Sequence, residues 1–183
     1  CTRCGFGTYD QLRQGYNVIE EAERDELPNY IARGKCFSAY QAYSLTMTFG
    51  EVPYSEALGG FDSNYQPVYD EQESIFSGIL QDLEEANNEL SLTAPDLLGD
   101  VMFNGDILKW KKAINSFRLS VLMTLSEKAG RSTINIAEQF ASIFSNPSGF
   151  PIMQSNSDNL ALEYFNVAGS RYPYFENQNL TGA

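Results

Sequence analysis

Three observations predict an all-α fold for these 183 residues, with helix hairpins packed in series and an irregular C-terminal segment. Apolar residues recur at three- and four-residue spacing in five separate stretches, the period of one face of an α-helix. Turn residues (Gly, Pro, Asn or Ser) close most of these stretches within a few positions of their last apolar residue. Beyond residue 149 the period disappears, and "FPIMQSNSDNLALEYFNVAGSRYPYFENQNLTGA" mixes amides, glycines and aromatics without a repeat.

The first helix is expected over about 10–26, with Leu12, Tyr16 and Ile19 on one stripe. Pro28-Asn29 opens the second, with Asn29 as its N-cap and a stripe of Ala32, Cys36, Ala39, Tyr40, Tyr43 and Met47. So few residues separate the two that they should pack as an antiparallel hairpin. The second helix runs into "FGEVPYSEAL" at 49–58. There Gly50 can take the left-handed conformation that ends a helix, and Pro53 cannot continue one.

Asp70 and Glu73 stand three apart, as a capping box requires, ahead of a third stripe of Ile75, Ile79, Leu83, Ala86 and Leu90. The fourth helix is expected over about 106–128, striped by Ile107, Trp110, Ile114 and Phe117. It then becomes apolar nearly all round at Leu119, Val121, Leu122, Met123 and Leu125, which places it centrally among its neighbours. Ser132 can cap the fifth, striped by Ile136, Phe140, Ile143 and Phe144 and stopped by "NPSG". Residues 1–149 thus read as a helical scaffold, and 150–183 as the start of a loop-rich ligand-binding region of the same domain.

Net charge is −12, and it is unevenly spread. Residues 36–108 hold thirteen acidic residues and no basic one, while six of the twelve basic residues lie from Lys109 to Arg131. An acidic surface repels phosphate backbones and anionic lipid, which argues against nucleic acid as a partner. The basic cluster is expected on the solvent side of the fourth helix. No stretch approaches eighteen apolar residues, so no membrane-spanning helix is expected.

Cys1 and Cys4 in "CTRC" have the spacing of a metal pair, but with Cys36 alone besides them and no histidine, a four-ligand zinc site lacks a ligand. The same absence removes the usual general base for a Ser or Cys nucleophile. The carboxylate pairs Glu20-Glu21 and Glu84-Glu85 do not converge on one bond, because adjacent helical residues point about 100° apart. One calcium-like order exists: Asp62, Asn64, Gln66, Asp70 and Glu73 fall at positions 1, 3, 5, 9 and 12 of an EF-hand window. Pro67 stands where that turn needs Gly, and helix capping already accounts for Asp70 and Glu73. No cofactor is expected.

Trp110 lies on the inward stripe of the fourth helix and reads as core. Aromatics outside the stripes form two groups. Phe61, Tyr65 and Tyr69 lie in the connection after the break; Tyr164, Phe165, Tyr172, Tyr174 and Phe175 lie in the last segment. Tyrosine suits a wet site, with an apolar ring to stack on sugar and a hydroxyl to hydrogen-bond. Loops on a rigid scaffold usually carry function. Ligand contacts are therefore expected in 153–175, with Tyr164, Tyr172 and Tyr174 stacking and Asn156 and Asn159 hydrogen-bonding.

The stretches "AYQAYSLTMTFGEVPYSEAL", "QPVYDEQESIFSGILQDLEEANNEL" and "GDILKWKKAINSFRLSVLMTLSEKAG", in that order, resemble the SusD/RagB family in its SusD-like branch. "PIMQSNSDNLALEYF" matches the segment that usually follows, and the resemblance spans about residues 30–175. It implies a tetratricopeptide-like fold and a non-enzymatic outer-membrane lipoprotein of Bacteroidota, exposed at the cell surface. Such a protein captures oligosaccharides or peptides and sits as a lid on a SusC-like TonB-dependent transporter. Its only contact with the membrane is a lipidated N-terminal cysteine. The competing expectation is a helical-repeat interaction module with a protein partner and no nutrient. Family members run to several hundred residues, so the chain reads as a fragment of a longer protein. Cys1 is the candidate for lipidation, and its nearness to the first hairpin counts against that role. In this light the break at 49–58 reverses the chain and has no chemistry of its own. No binding motif of the family maps onto this chain position by position.

Overall fold

Gly15 and Gly34 set how closely the first two helices approach. A Cβ built on Gly15 would lie 2.3 Å from Ser38 Oγ, and one on Gly34 would lie 2.6 Å from Ile19 Cγ1 and 3.2 Å from the Gly15 carbonyl. The structure is a computed structural model that describes residues 7–62, 64–94, 98–161, 164 and 171, with the backbone alone at 61 and 62. Its described residues form five α-helices: α1 Thr8–Arg24, α2 Pro28–Phe49, α3 Gln72–Glu89, α4 Ile107–Thr124 and α5 Ile136–Ser145. Consecutive helices pack on one another, and α2 and α4 also touch. The fold is the expected all-α series of hairpins.

The turn between α1 and α2 is a Schellman motif. Leu27 N–H donates to the Ala22 carbonyl at 2.8 Å and Glu26 N–H to the Glu23 carbonyl at 3.2 Å. Glu26 takes the left-handed conformation, with φ 54°, where such motifs usually place glycine. At the other end of α2, Gly50 has φ 80° and its N–H donates to the Thr46 carbonyl at 2.8 Å, so the predicted break holds.

Several caps differ from expectation. Leu27 is the N-cap of α2, and Asn29 lies inside the helix. Its side chain instead accepts from Ser91 N–H at 2.9 Å and donates to the Ser91 carbonyl at 3.3 Å. Glu71 is the N-cap of α3, with no side-chain capping bond, so Asp70 and Glu73 form no capping box. Both carboxylates tie distant chain segments instead. Glu73 accepts from Ser132 Oγ and Thr133 N–H at 3.0 and 2.7 Å. Ser132 accordingly does not cap α5, whose N-cap is Asn135. The fourth helix starts as expected, with Asp106 accepting from Lys109 N–H at 3.0 Å. It ends at Thr124 and passes into a 3-10 turn at Ser126–Lys128.

The stripe of α3 is the best-defined part of the core: Ile75, Ile79, Leu83, Ala86 and Leu90 are all buried. Each of the larger side chains gains about 1.5–3 kcal/mol from leaving water. The stripe of α2 is only half right. Ala32 and Ala39 are buried, but Tyr40 and Met47 are exposed. Helix α2 packs against both α1 and α3, so its small residues Ala32, Gly34, Ser38, Ala39 and Ala42 face inward on two sides and its large ones are displaced outward. Met123 and Phe144, also placed on apolar faces by the periodicity, are 58% and 66% exposed.

Trp110 is core, as expected. It is buried, meets Phe103 edge-on at 5.3 Å, and donates from Nε1 to Asp100 Oδ2 at 2.7 Å. Burial pushes the Asp100 carboxyl up, but the Trp110 bond and the N–H groups of Met102 and Gly105 outweigh it and hold the group below its usual range.

Candidate functional site

On α4, polar residues interrupt the apolar pattern at Lys112, Asn115, Ser116 and Arg118. The first three sit at i, i+3 and i+4, hence on one face. That face fastens the chain that follows α5. Asn115 Nδ2 donates to the Pro151 carbonyl at 3.1 Å, and Ser116 Oγ accepts from Met153 N–H at 2.8 Å. Lys112 Nζ donates to Asp158 Oδ1 at 2.8 Å. Asn87, on α3, completes the strip: it accepts from Asn115 Nδ2 at 2.8 Å and donates to the Gly149 carbonyl at 3.4 Å.

The expected solvent-facing basic cluster is thereby corrected for two of its members. Lys112 is paired with Asp158, and Arg118 is only 3% exposed. Arg118 donates to Glu84 at 2.8 Å and Gln139 at 3.1 Å, with its guanidinium 5.8 Å from the Phe150 ring centroid. Desolvation lowers its pKa although Glu84 opposes this. Glu84 and Glu85 diverge as the helix geometry requires, but each ties α3 to a neighbour. Glu84 pairs with Arg118 of α4, and Glu85 with Lys35 of α2.

Asp158 is the centre of the fastened segment. Its carboxylate takes Lys112 on one oxygen and Gln154 N–H, at 2.9 Å, on the other. The Lys112 hydrogen bond, followed by the backbone donors, holds its pKa below the usual carboxylate range. It closes a 3-10 turn at Asn156–Asp158 and leaves Asn156 and Asn159 exposed on either side. The structure therefore brings these two predicted amides together on one anchored turn. Tyr164 is 46% exposed a few residues further on. Tyr172 and Tyr174 lie outside the described residues, as do Cys1, Cys4, Phe165 and Phe175.

Beside this turn lies a cleft of about 830 Å³ between α1, α2 and α4, to which Met153 and Leu160 contribute a wall. Phe37, Tyr40, Trp110 and Phe117 make it aromatic; Gln14, Arg33, Gln41 and Ser116 are its polar groups. Tyr40 and Phe117 pack with centroids 5.7 Å apart, and the Arg33 guanidinium covers the Trp110 ring at 5.7 Å. Cys36 also lines the cleft, with its thiol pushed up to about 12 by burial. Such a lining favours apolar surface over hydrated hydroxyls. The polar chemistry of the region belongs to the turn.

The calcium-like window is dispersed. Asn64 donates to Glu56 at 2.8 Å and accepts from Gln66 N–H, Asp70 holds the turn at Tyr54 and Ser55, and Glu73 holds Ser132 and Thr133. The side chain of Asp62 lies outside the described residues. Among the described residues, no group of three or more Cys, Asp or Glu is placed to hold a metal ion.

The helical series is also what known proteins share with this chain. The model of the SusD-like family, described as starch-binding and associating with the outer membrane, matches residues 5–181. The chain belongs to the SusD-like family. A SusD homologue of Bacteroides fragilis superposes with a TM-score of 0.85 at 47% identity, over 95% of this chain and 37% of its own. Another SusD homologue of that organism gives 0.78 at 38% identity, over 87% and 33%. A chitin-binding protein gives 0.72 at 31% identity, over 84% and 32%. The chain thus spans about a third of the length of these solved relatives. No curated protein matches it. Among the described residues, no helix is long and apolar enough to cross a membrane.

Proposed function

We propose that the full-length protein captures glycan at the outer-membrane surface and delivers it to a SusC-like TonB-dependent transporter. In this reading the protein is held by a lipidated N-terminal cysteine and catalyses nothing itself. The observation that carries it is the family match over 5–181, with its description as starch-binding and outer-membrane-associated. The chitin-binding relative supports a carbohydrate ligand over a peptide.

The proposed ligand contacts are Tyr164, Tyr172 and Tyr174 as stacking residues and Asn156 and Asn159 as hydrogen-bond partners. The hold of α4 on 149–158 supports the placement of Asn156 and Asn159 on the turn it anchors, because a preordered segment loses little freedom on binding. The test uses the intact protein with alanine at Tyr164, Tyr172 and Tyr174 together. Affinity for a maltooligosaccharide and a chitooligosaccharide is followed beside melting temperature. Lost affinity at unchanged melting temperature is expected; unchanged affinity in the folded variant removes this segment from the site.

A second reading, a helical-repeat interaction module without a nutrient, is favoured by the apolar cleft with Phe37 and Tyr40 exposed in it. It predicts a protein partner whose binding is lost on Tyr40→Glu, and no glycan binding at all.

A further inference from the structure

We propose that the connection 51–70 forms an additional carbohydrate contact, a shallow pocket that takes a neutral sugar ring of the captured oligosaccharide. This rests on the glycan-capture reading and adds a position outside 153–175, where the sequence placed the ligand contacts. The pocket encloses about 450 Å³ and is lined by Tyr9, Pro53, Ala57, Gln66, Pro67 and Tyr69.

The loop that forms it is fastened from within. The Asp70 carboxylate accepts from the N–H groups of Tyr54 and Ser55, each at 2.9 Å, and from Ser55 Oγ at 2.8 Å. Glu56 accepts from Asn64 Nδ2 at 2.8 Å and Val68 N–H at 3.1 Å. Asp70 N–H donates to the Val52 carbonyl at 3.1 Å, an isolated antiparallel bridge across the base of the loop. Tyr9 OH donates to the Pro53 carbonyl at 2.6 Å and docks the loop on α1. Burial, with Tyr69 and Asp70 nearby, pushes the Tyr9 phenol up to about 12, so that donor keeps its proton at neutral pH.

None of these bonds uses the side chains of Tyr65, Gln66 or Tyr69. Tyr65 is 80% and Tyr69 61% exposed. Two phenol rings and an amide are thus carried outward by residues 65–69. Around them Asn64, Val68 and Asp70 are already tied in place, which limits the freedom lost on binding. Tyrosine faces suit the apolar faces of a sugar ring, and the hydroxyls and Gln66 suit its oxygens. The charge pattern selects the class of sugar. No basic residue lies anywhere in 36–108, and Glu56 and Asp70 are built into the loop, so uronic or sulfated sugars are repelled.

The test titrates the intact protein with a maltooligosaccharide, a chitooligosaccharide and an oligogalacturonate by calorimetry. Wild type is compared with Tyr65→Ala, Tyr69→Ala and the double variant, with melting temperatures in parallel. Expected is binding of at least one neutral glycan, weaker binding of the galacturonate, and about tenfold loss in the double variant. Tyr69→Ala alone, at an exposed position that lines the pocket, keeps the test valid if the double variant unfolds; it should lose a few-fold in affinity with an unchanged melting temperature. Unchanged affinity in the folded variants overturns the loop pocket and leaves glycan capture standing. Tighter binding of the galacturonate overturns the neutral class. Binding of neither neutral glycan overturns both the pocket and the capture reading.

Discussion

The connection 51–70 and the segment 149–158 are both irregular, and they are fastened in opposite ways. The first is held mainly from within: Asp70 and Glu56 take donors that lie within sixteen residues in the chain, and Tyr9 and Asp82 add single ties to α1 and α3. The second is held by others, through Asn87, Asn115, Ser116 and Lys112, at separations of 36 to 62 residues. A self-fastened loop tolerates changes elsewhere in the scaffold. A segment gripped by helix side chains inherits every shift of those helices, so its surface is tuned by α4.

Damage to the common helical core should abolish the contrast. Trp110→Ala leaves a cavity beside Phe103 and strips a partner from Asp100, at a cost of about 3–5 kcal/mol. Chemical denaturation should show that loss, with both regions opening in one cooperative step.

Asp70→Ala should sharpen the contrast. It removes three hydrogen bonds to one partly exposed carboxylate, and about 2 kcal/mol of local stability is expected to go with them. Amide hydrogen exchange should then quicken at Tyr54 and Ser55 and stay unchanged at Met153 and Gln154. Acid, in contrast, cannot separate the regions. The pKa of Asp70 is lowered, because its hydrogen bonds to Ser55 and Tyr54 outweigh burial, and that of Asp158 is lowered chiefly by Lys112. A carboxylate depressed in the folded state stabilises above its unfolded value, about 3.9, and that stabilisation is lost as pH falls through the folded value. Protection, taken relative to the unfolded chain at the same pH, should therefore fall in both below about pH 4.

The smallest effect is expected where neither region is touched. Glu26→Gly relieves a left-handed residue in the α1–α2 turn and should stabilise by about 1 kcal/mol at most. A raised melting temperature with no change of exchange in either region would bear that out.

The helices were legible in the sequence because their apolar period is a local property, and α3 shows it most clearly. The caps were harder to read. Asn29, Asp70, Glu73 and Ser132 are good capping residues by type, yet each is committed to a partner 15 to 62 residues away. A short polar side chain serves a helix end and a tertiary tie equally well. The amides Asn156 and Asn159 were legible as a polar cluster, but the strip that positions them was not. Its signal was present all the same: Lys112, Asn115 and Ser116 share one face of a helix whose apolar stripe lies elsewhere. Assigning the basic residues of that helix to solvent hid it. The loop pocket was missed because Tyr65 and Tyr69, though noted as aromatics outside the stripes, were passed over for the amide-rich last segment.

Amide hydrogen exchange on the intact Lys112→Met, Ser116→Ala protein tests most directly whether α4 holds the segment 149–158, the proposed ligand contact. Those two side chains bond to Asp158 and to Met153 N–H, and their loss should cost the segment about 1–2 kcal/mol. The account predicts that exchange at Met153 and Gln154 rises about tenfold while Tyr54 and Ser55 keep their protection. Equal protection in wild type and variant, or an equal loss in both regions, would contradict it.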